Sequence, residues 1–137
     1  MHENTYNVLK LTTRGWALYH WAADPVVWVP REFNDKADSL CNKSKELKAP
    51  HLYRHHEIAS IIHSGFNIKI STDGGVRGGT ISGTGWVVYA VQVGVTGNEG
   101  KHVNILEGGQ YHGRGMSSLE VEIRALEEAL DHLCLYT

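Results

Sequence analysis

The sequence predicts an α/β fold in which a three-strand antiparallel meander plus a further strand form a mixed sheet flanked by helices. Three observations lead there. Phe66, Ile68 and Ile70 alternate with Asn67, Lys69 and Ser71, the period-two pattern of a half-buried strand. Two further runs rich in β-branched and aromatic residues follow, separated by turn-forming residues. The segment 117–136 then carries apolar residues at helical spacing. Successive strands followed by a helix form a meander, unlike the strict strand–helix alternation of a doubly wound sheet.

Composition is that of an ordinary globular protein. The 137 residues suffice for one domain with a core of its own, and 42% are hydrophobic against 20% charged. A formal charge of −2 gives no basic excess, so any nucleic-acid contact depends on local Lys and Arg. Cys41 and Cys134 form neither a CxxC metal pair nor a disulfide framework, and are expected as buried thiols in a reducing compartment. No signal peptide is evident, and the longest apolar run, around Trp86–Val91, is too short to span a bilayer. The expectation is an intracellular protein without a membrane partner.

In chain order, residues 5–19 space Val8, Leu11 and Trp16 as a helix would, with Asn4 or Thr5 as N-cap. Pro25–Val29 reads as a short strand closed by Pro30. Residues 34–47 read as a helix capped by Asn34, with Ala37, Leu40, Cys41 and Leu47 on one side. Pro50 opens a connector over residues 50–65, with a short helix before Gly65. In this connector the tract His51-Leu52-Tyr53-Arg54-His55-His56 lacks the partners of a metal site and reads as solvated, with Tyr53 and Arg54 as a weak nucleic-acid contact. The strand from Phe66 runs into Thr72-Asp73-Gly74-Gly75. A glycine-rich stretch to Gly85 reads as a flexible hairpin connection; it lacks the Gly-Lys-Ser/Thr ending of a phosphate-binding P-loop. Strands follow at Trp86–Val93 and around Val103–Leu106, with a turn at Asn98–Gly100 between them. The last helix is expected over Ser117–Tyr136.

On that last helix, Leu119, Ile123, Leu126, Leu130 and Leu133 share one arc. Glu120, Glu127, Glu128 and Asp131 are expected on the polar side. Glu122 alone among the acids falls inside the apolar arc, between Ala129 and Leu133. A carboxylate there needs a pair, a hydrogen bond or a cation, or else it sits at the helix margin and reaches out to solvent.

Three blocks together resemble the ribonuclease H family. IKISTDGG (residues 68–75), followed by glycines and GWVVYA (85–90), is similar to the family's opening hairpin, where a strand ends in Thr-Asp-Gly. SSLEVEIRALEEAL (117–130) resembles its first helix. VWVPREFNDKADSL (27–40) resembles its last strand and helix, closest to the retroelement, reverse-transcriptase-associated branch. The resemblance implies metal-binding carboxylates at Asp73, Glu122 and Asp38. It also implies Mg²⁺ or Mn²⁺ as cofactor and endonucleolytic hydrolysis of the RNA strand of an RNA–DNA hybrid. Carboxylates suit such hard cations, and a metal-bound water would be the nucleophile. Arg77, Arg31 and Asn34 are the residues expected to contact nucleic acid.

The blocks stand in permuted order, with the family's last ones first. The chain is therefore expected to be either a circular permutant forming one compact domain 1–137, or two half-domains. In the second case residues 1–49 close one unit and 66–137 open another. The position of the family's fourth acid falls at Glu3 or Asn4, and the strand that precedes it in the family is absent. Completion within the chain, a domain-swapped homodimer or the remainder of a larger polyprotein would each supply what is missing. The alternative function is a catalytically inactive ribonuclease H-like remnant that binds nucleic acid or protein.

Overall fold

The structure, a computed structural model, describes residues 34–64, 66–93, 99–113 and 115–136. Glu3, Arg31, the helix expected over 5–19 and the strand expected at Pro25–Val29 lie outside the described residues. In chain order the elements are α1 (Asp35–Leu47), β1 (His51–Arg54), α2 (Ile58–His63), β2 (Asn67–Arg77), β3 (Ile81–Val93), β4 (Glu99–Gly109), β5 (Tyr111–Gly113) and α3 (Ser118–Cys134). The architecture is α/β: an antiparallel sheet flanked by helices.

The strands lie in the order β1-β4-β3-β2, with β5 paired to β3. β2 and β3 form an unbroken antiparallel ladder from Asn67↔Val91 to Arg77↔Ile81. Three elements run longer than their sequence patterns indicate, the first being β2, which continues past Asp73 to Arg77. β3 begins at Ile81 rather than Trp86, and β4 spans Glu99–Gly109 rather than the few residues around Val103, so Glu99 and Gly100 belong to a strand instead of a turn. The glycine-rich stretch is thus mostly strand, and only Gly78–Thr80 forms the turn. There Gly78 (φ 59°) and Gly79 (φ 70°) take left-handed conformations that favour glycine. His51–Arg54, expected as part of a connector, pairs with the far end of β4 from His51↔Gly109 to Arg54↔Leu106. Four residues with mixed polarity carry too little periodicity to announce such a strand; the free edge of β4 recruits it.

One face of the sheet holds the main core. Trp86, Val88 and Ala90 of β3 meet Ile105 and Leu106 of β4, under Leu126, Ala129, Leu130 and Leu133 of α3 and Ile58 of α2. A register shift between Val88 and Tyr89 leaves Ile105 as an extra residue in β4, which lets it join Leu106 inside. Burying each such Leu or Ile stabilises the fold by about 1.5–3 kcal/mol. α3 starts on a capping box, with Ser117 accepting from the Glu120 amide and the Glu120 side chain reaching back to the Ser117 amide. The Trp86 ring also stacks on His132, centroids 5.1 Å apart.

α1 packs on the opposite face through Ala37, Leu40, Cys41 and Ser44. Leu47 does not share this buried side as expected: it is 57% exposed, being the last residue of the helix, where the chain turns away through left-handed Lys48 toward β1. α1 belongs to the first of the two expected half-units, yet it lies directly on β2 and β3 of the second. The contact is backbone to backbone. A Cβ at Gly85 would stand 2.2 Å from the Cys41 nitrogen and 2.3 Å from the Ala37 carbonyl oxygen. Glycine in a strand interior is normally a cost, and here it is the condition for seating the helix.

Gly85→Ala should therefore push α1 off the sheet and destabilise the protein by about 3 kcal/mol, at the upper end of overpacking effects. Gly78→Ala has open space around it and should cost only about 1 kcal/mol through its positive φ. Urea unfolding midpoints of the two variants check the difference.

Candidate functional site

The three carboxylates named by the resemblance sit on three elements that cross at one stretch of the β2–β3 hairpin. Asp73 pairs across the ladder with Gly85, and Gly75 with Gly83. Residues two apart along a strand, and residues paired directly across it, share a face, so Asp73 lies in the row over which α1 passes. Asp38 is on α1, one turn before Cys41. Glu122 comes from the other side: a Cβ at Gly74 would lie 2.5 Å from the Val121 carbonyl and 2.7 Å from the Glu122 nitrogen. Asp73 is thus flanked by a glycine beneath the backbone of Glu122 and faces a glycine beneath α1. All three acids are partly buried.

Electrostatics report the same neighbourhood. The Cys41 thiol donates to the Gly83 carbonyl at 3.2 Å. Its pKa is pushed up to about 11, first by burial and then by the Asp73 carboxylate, with Asp38 adding and Lys45 opposing. At neutral pH it is a protonated, inert thiol, as expected for a buried cysteine. Glu122 is partly withdrawn from water, as its place on the helical wheel indicated, and burial raises its carboxyl pKa above the usual 4.5. Among the described residues, no three His, Cys, Asp or Glu side chains are grouped so as to hold a metal ion. The hard oxygen donors suit Mg²⁺ or Mn²⁺, and the backbone brings them to one region without closing three of them on a point.

Asn34 stands at the N-cap position of α1, but its side chain makes no capping bond. Its amide instead donates to the Thr72 carbonyl at 2.8 Å and ties the start of α1 to β2 beside Asp73. Arg77 is exposed at the hairpin tip, four residues along β2 from Asp73.

Glu128, expected with Glu120, Glu127 and Asp131 on the polar side of α3, is instead packed against the sheet. The Glu128 side chain is 12% exposed and bridges two partners. Thr84 Oγ1 donates to its Oε1 at 2.5 Å, and His112 Nε2 lies 2.6 Å from its Oε2. Thr84 Oγ1 in turn accepts from the Gln110 amide at 2.9 Å. One carboxylate therefore fastens α3 to β3 and β5. No spacing rule pointed to this knot, because β5 has no hydrophobic pattern and a helical wheel does not register a strand packed against its polar margin.

A second knot lies on the α1 side. Ser44 Oγ donates to the Thr84 carbonyl at 2.8 Å, and His51 Nε2 sits 2.8 Å from that hydroxyl and 3.2 Å from the Leu40 carbonyl. With the Ser44 proton on Thr84, His51 Nε2 carries a hydrogen and donates. Burial lowers the His51 pKa below 6.5, which keeps the ring neutral. The first histidine of the tract 51–56 is thus a structural clasp and not part of a solvated connector. Further along, Arg54 donates to the Tyr136 hydroxyl at 3.1 Å.

Comparison with protein-family models, with curated proteins and with solved structures finds no match. No helix among the described residues is long and apolar enough to cross a membrane.

Glu128→Ala should leave His112 without its carboxylate partner and Thr84 Oγ1 with Gln110 alone, and cost about 2 kcal/mol. Glu127→Ala, one residue away and paired only with Arg124 at 3.8 Å on the surface, should cost less than about 0.5 kcal/mol. Thermal unfolding of both variants at pH 7 measures the contrast.

Proposed function

We propose that this chain is a ribonuclease H-type, metal-dependent endonuclease domain of retroelement origin. Its substrate is an RNA–DNA hybrid and its product the hydrolysed RNA strand. The observation that carries this reading is the crossing of the three acid-bearing elements at one stretch of β2 and β3. Asp73 lies in a strand of an antiparallel meander. Gly74 seats the α3 backbone at Glu122, and Gly85 seats α1 one turn from Asp38. Close approach through strand glycines is what an acid site shared by three separate elements requires.

The direct packing of α1 on the hairpin favours a permuted single unit over the junction of two separate units. In the permuted order, α1 is the family's last helix and α3 its first, one on each face of the sheet. β2 is one of the two edge strands among the described residues, and the family's further strands would stand beside it.

Asp73, Glu122 and Asp38 would hold Mg²⁺ or Mn²⁺, with Glu3 as the fourth acid. A divalent ion in such a site supplies water activation and neutralises charge on the leaving oxygen. The protein's own part is positional. The two helix backbones fix Asp73 between Asp38 and Glu122, Asn34 holds α1 to β2, and Arg77 and Arg31 offer cations to the sugar–phosphate backbone. The 2′-hydroxyl of the RNA strand is the feature that separates a hybrid from duplex DNA. The competing reading, an inactive remnant that binds nucleic acid or protein, draws on the absence of a three-acid metal group among the described residues.

A labelled RNA–DNA hybrid incubated with the chain and Mg²⁺ or Mn²⁺ tests the proposal. Cutting of the RNA strand is expected, abolished by chelation and by Asp73→Asn or Glu122→Gln. A folded protein that leaves the hybrid intact at high enzyme concentration contradicts it and favours the remnant.

A further inference from the structure

Two of the hairpin glycines have a tight contact with one lysine side chain nearer than any helix backbone atom. Gly75 and Gly83 pair across the ladder on the α1 face, and neither has a positive φ. Both make room for the Lys45 side chain, and a Cβ at Gly83 would also stand 3.2 Å from the Cys41 carbonyl oxygen and 3.4 Å from the Lys45 nitrogen. A Cβ at Gly83 would lie 2.7 Å from Lys45 Cγ, and a Cβ at Gly75 would lie 2.9 Å from Lys45 Nζ. The Lys45 stem therefore runs in a slot floored by glycine, and its ammonium is delivered over Gly75. Asp73 is the next residue of the same row, about 6.6 Å along the strand.

Lys45 is partly buried, and its ammonium is in electrostatic reach of the Cys41 thiol, which also feels Asp73 and Asp38. Among the described residues, no carboxylate pairs with it within 4.0 Å. It is a cation fixed beside the candidate carboxylates without being consumed by one of them. The chain as a whole carries a formal charge of −2, so a phosphate entering here depends on such local cations. An ammonium is a compact point charge suited to a phosphate oxygen.

We propose that Lys45 is a phosphate-contact residue, its ammonium held over Gly75 beside Asp73 to receive the sugar–phosphate backbone of a nucleic-acid strand. This rests on the ribonuclease H-type reading and adds to it a substrate-positioning group that Arg77, Arg31 and Asn34 do not supply.

The test is binding of a fluorescein-labelled RNA–DNA hybrid in EDTA across a range of NaCl concentrations. It compares the wild-type chain with Lys45→Met, Gly75→Ala and the double variant. Met keeps an unbranched stem over Gly83 and removes only the charge. Lys45→Met should weaken binding about tenfold and lower the log–log salt slope by about 1, the signature of one lost phosphate contact. Its thermal midpoint should stay near wild type. Gly75→Ala, which displaces the flexible end of the lysine, should weaken binding alone but add nothing in the Lys45→Met background.

Wild-type affinity and salt slope in Lys45→Met would overturn the proposal, as would a full Gly75→Ala loss that persists without the lysine. Cleavage measured in parallel with Mg²⁺ separates the two claims. Binding that weakens in Lys45→Met while the wild-type chain never cuts sustains the phosphate contact and removes the hydrolase. Cutting by a chain indifferent to Lys45→Met removes the phosphate contact alone. A wild-type chain that binds no hybrid at all removes both.

Discussion

The close seating of two helix backbones on a glycine-bearing hairpin governs the rest of this structure. Gly85 admits α1 from one side and Gly74 admits α3 from the other, each at a distance no Cβ would allow. Helix-on-sheet packing ordinarily keeps side chains between the backbones, and here they are removed on the sheet's side. The gain is proximity. Residues far apart in sequence, Asp38, Asp73 and Glu122, are carried to one region by backbone geometry. The cost is two strand positions with higher unfolded-state entropy, offset by the apolar core under α3 and by the buried stripe of α1.

Two polar clasps hold the arrangement in register, and both use Thr84. Its carbonyl accepts from Ser44 on the α1 side, and its hydroxyl bridges Gln110 and Glu128 on the α3 side. Thr84 lies between Gly83 and Gly85, so the residue that anchors both helices stands between the glycines that let α1 and Lys45 in. His112 and His51 complete the two networks, His112 on Glu128 Oε2 and His51 on a Ser44 hydroxyl that also meets the Thr84 and Leu40 carbonyls. A sheet floor short of side chains gains its specificity from these hydrogen bonds rather than from packing.

Much of the fold was legible in the sequence where periodicity was strong. Ile68 and Ile70 marked β2, the apolar arc of 119–133 marked α3, and Ala37, Leu40 and Cys41 marked α1. The wheel also singled out Glu122 as the acid withdrawn from water. What escaped was decided by tertiary contact. Gly74–Gly85 looked like a loop because strand propensity penalises glycine, yet helix approach, not propensity, sets those positions. Glu128 looked solvated because β5 has no pattern to predict it, and Leu47 looked buried because a helical stripe does not say where the chain departs. Lys45 gave no signal at all, since its slot is made by residues 30 and 38 positions downstream.

The claim on which the account turns is that Asp73, Glu122 and Asp38 form one cation-binding region. Titrating the ¹⁵N-labelled chain with Mn²⁺ and following paramagnetic line broadening tests it without reference to activity. The amides of Asp38, Asp73–Gly75 and Val121–Glu122 should broaden first and together, at Mn²⁺ well below stoichiometric. Broadening centred on the histidines of 51–56, or spread evenly over exposed carboxylates, would contradict it.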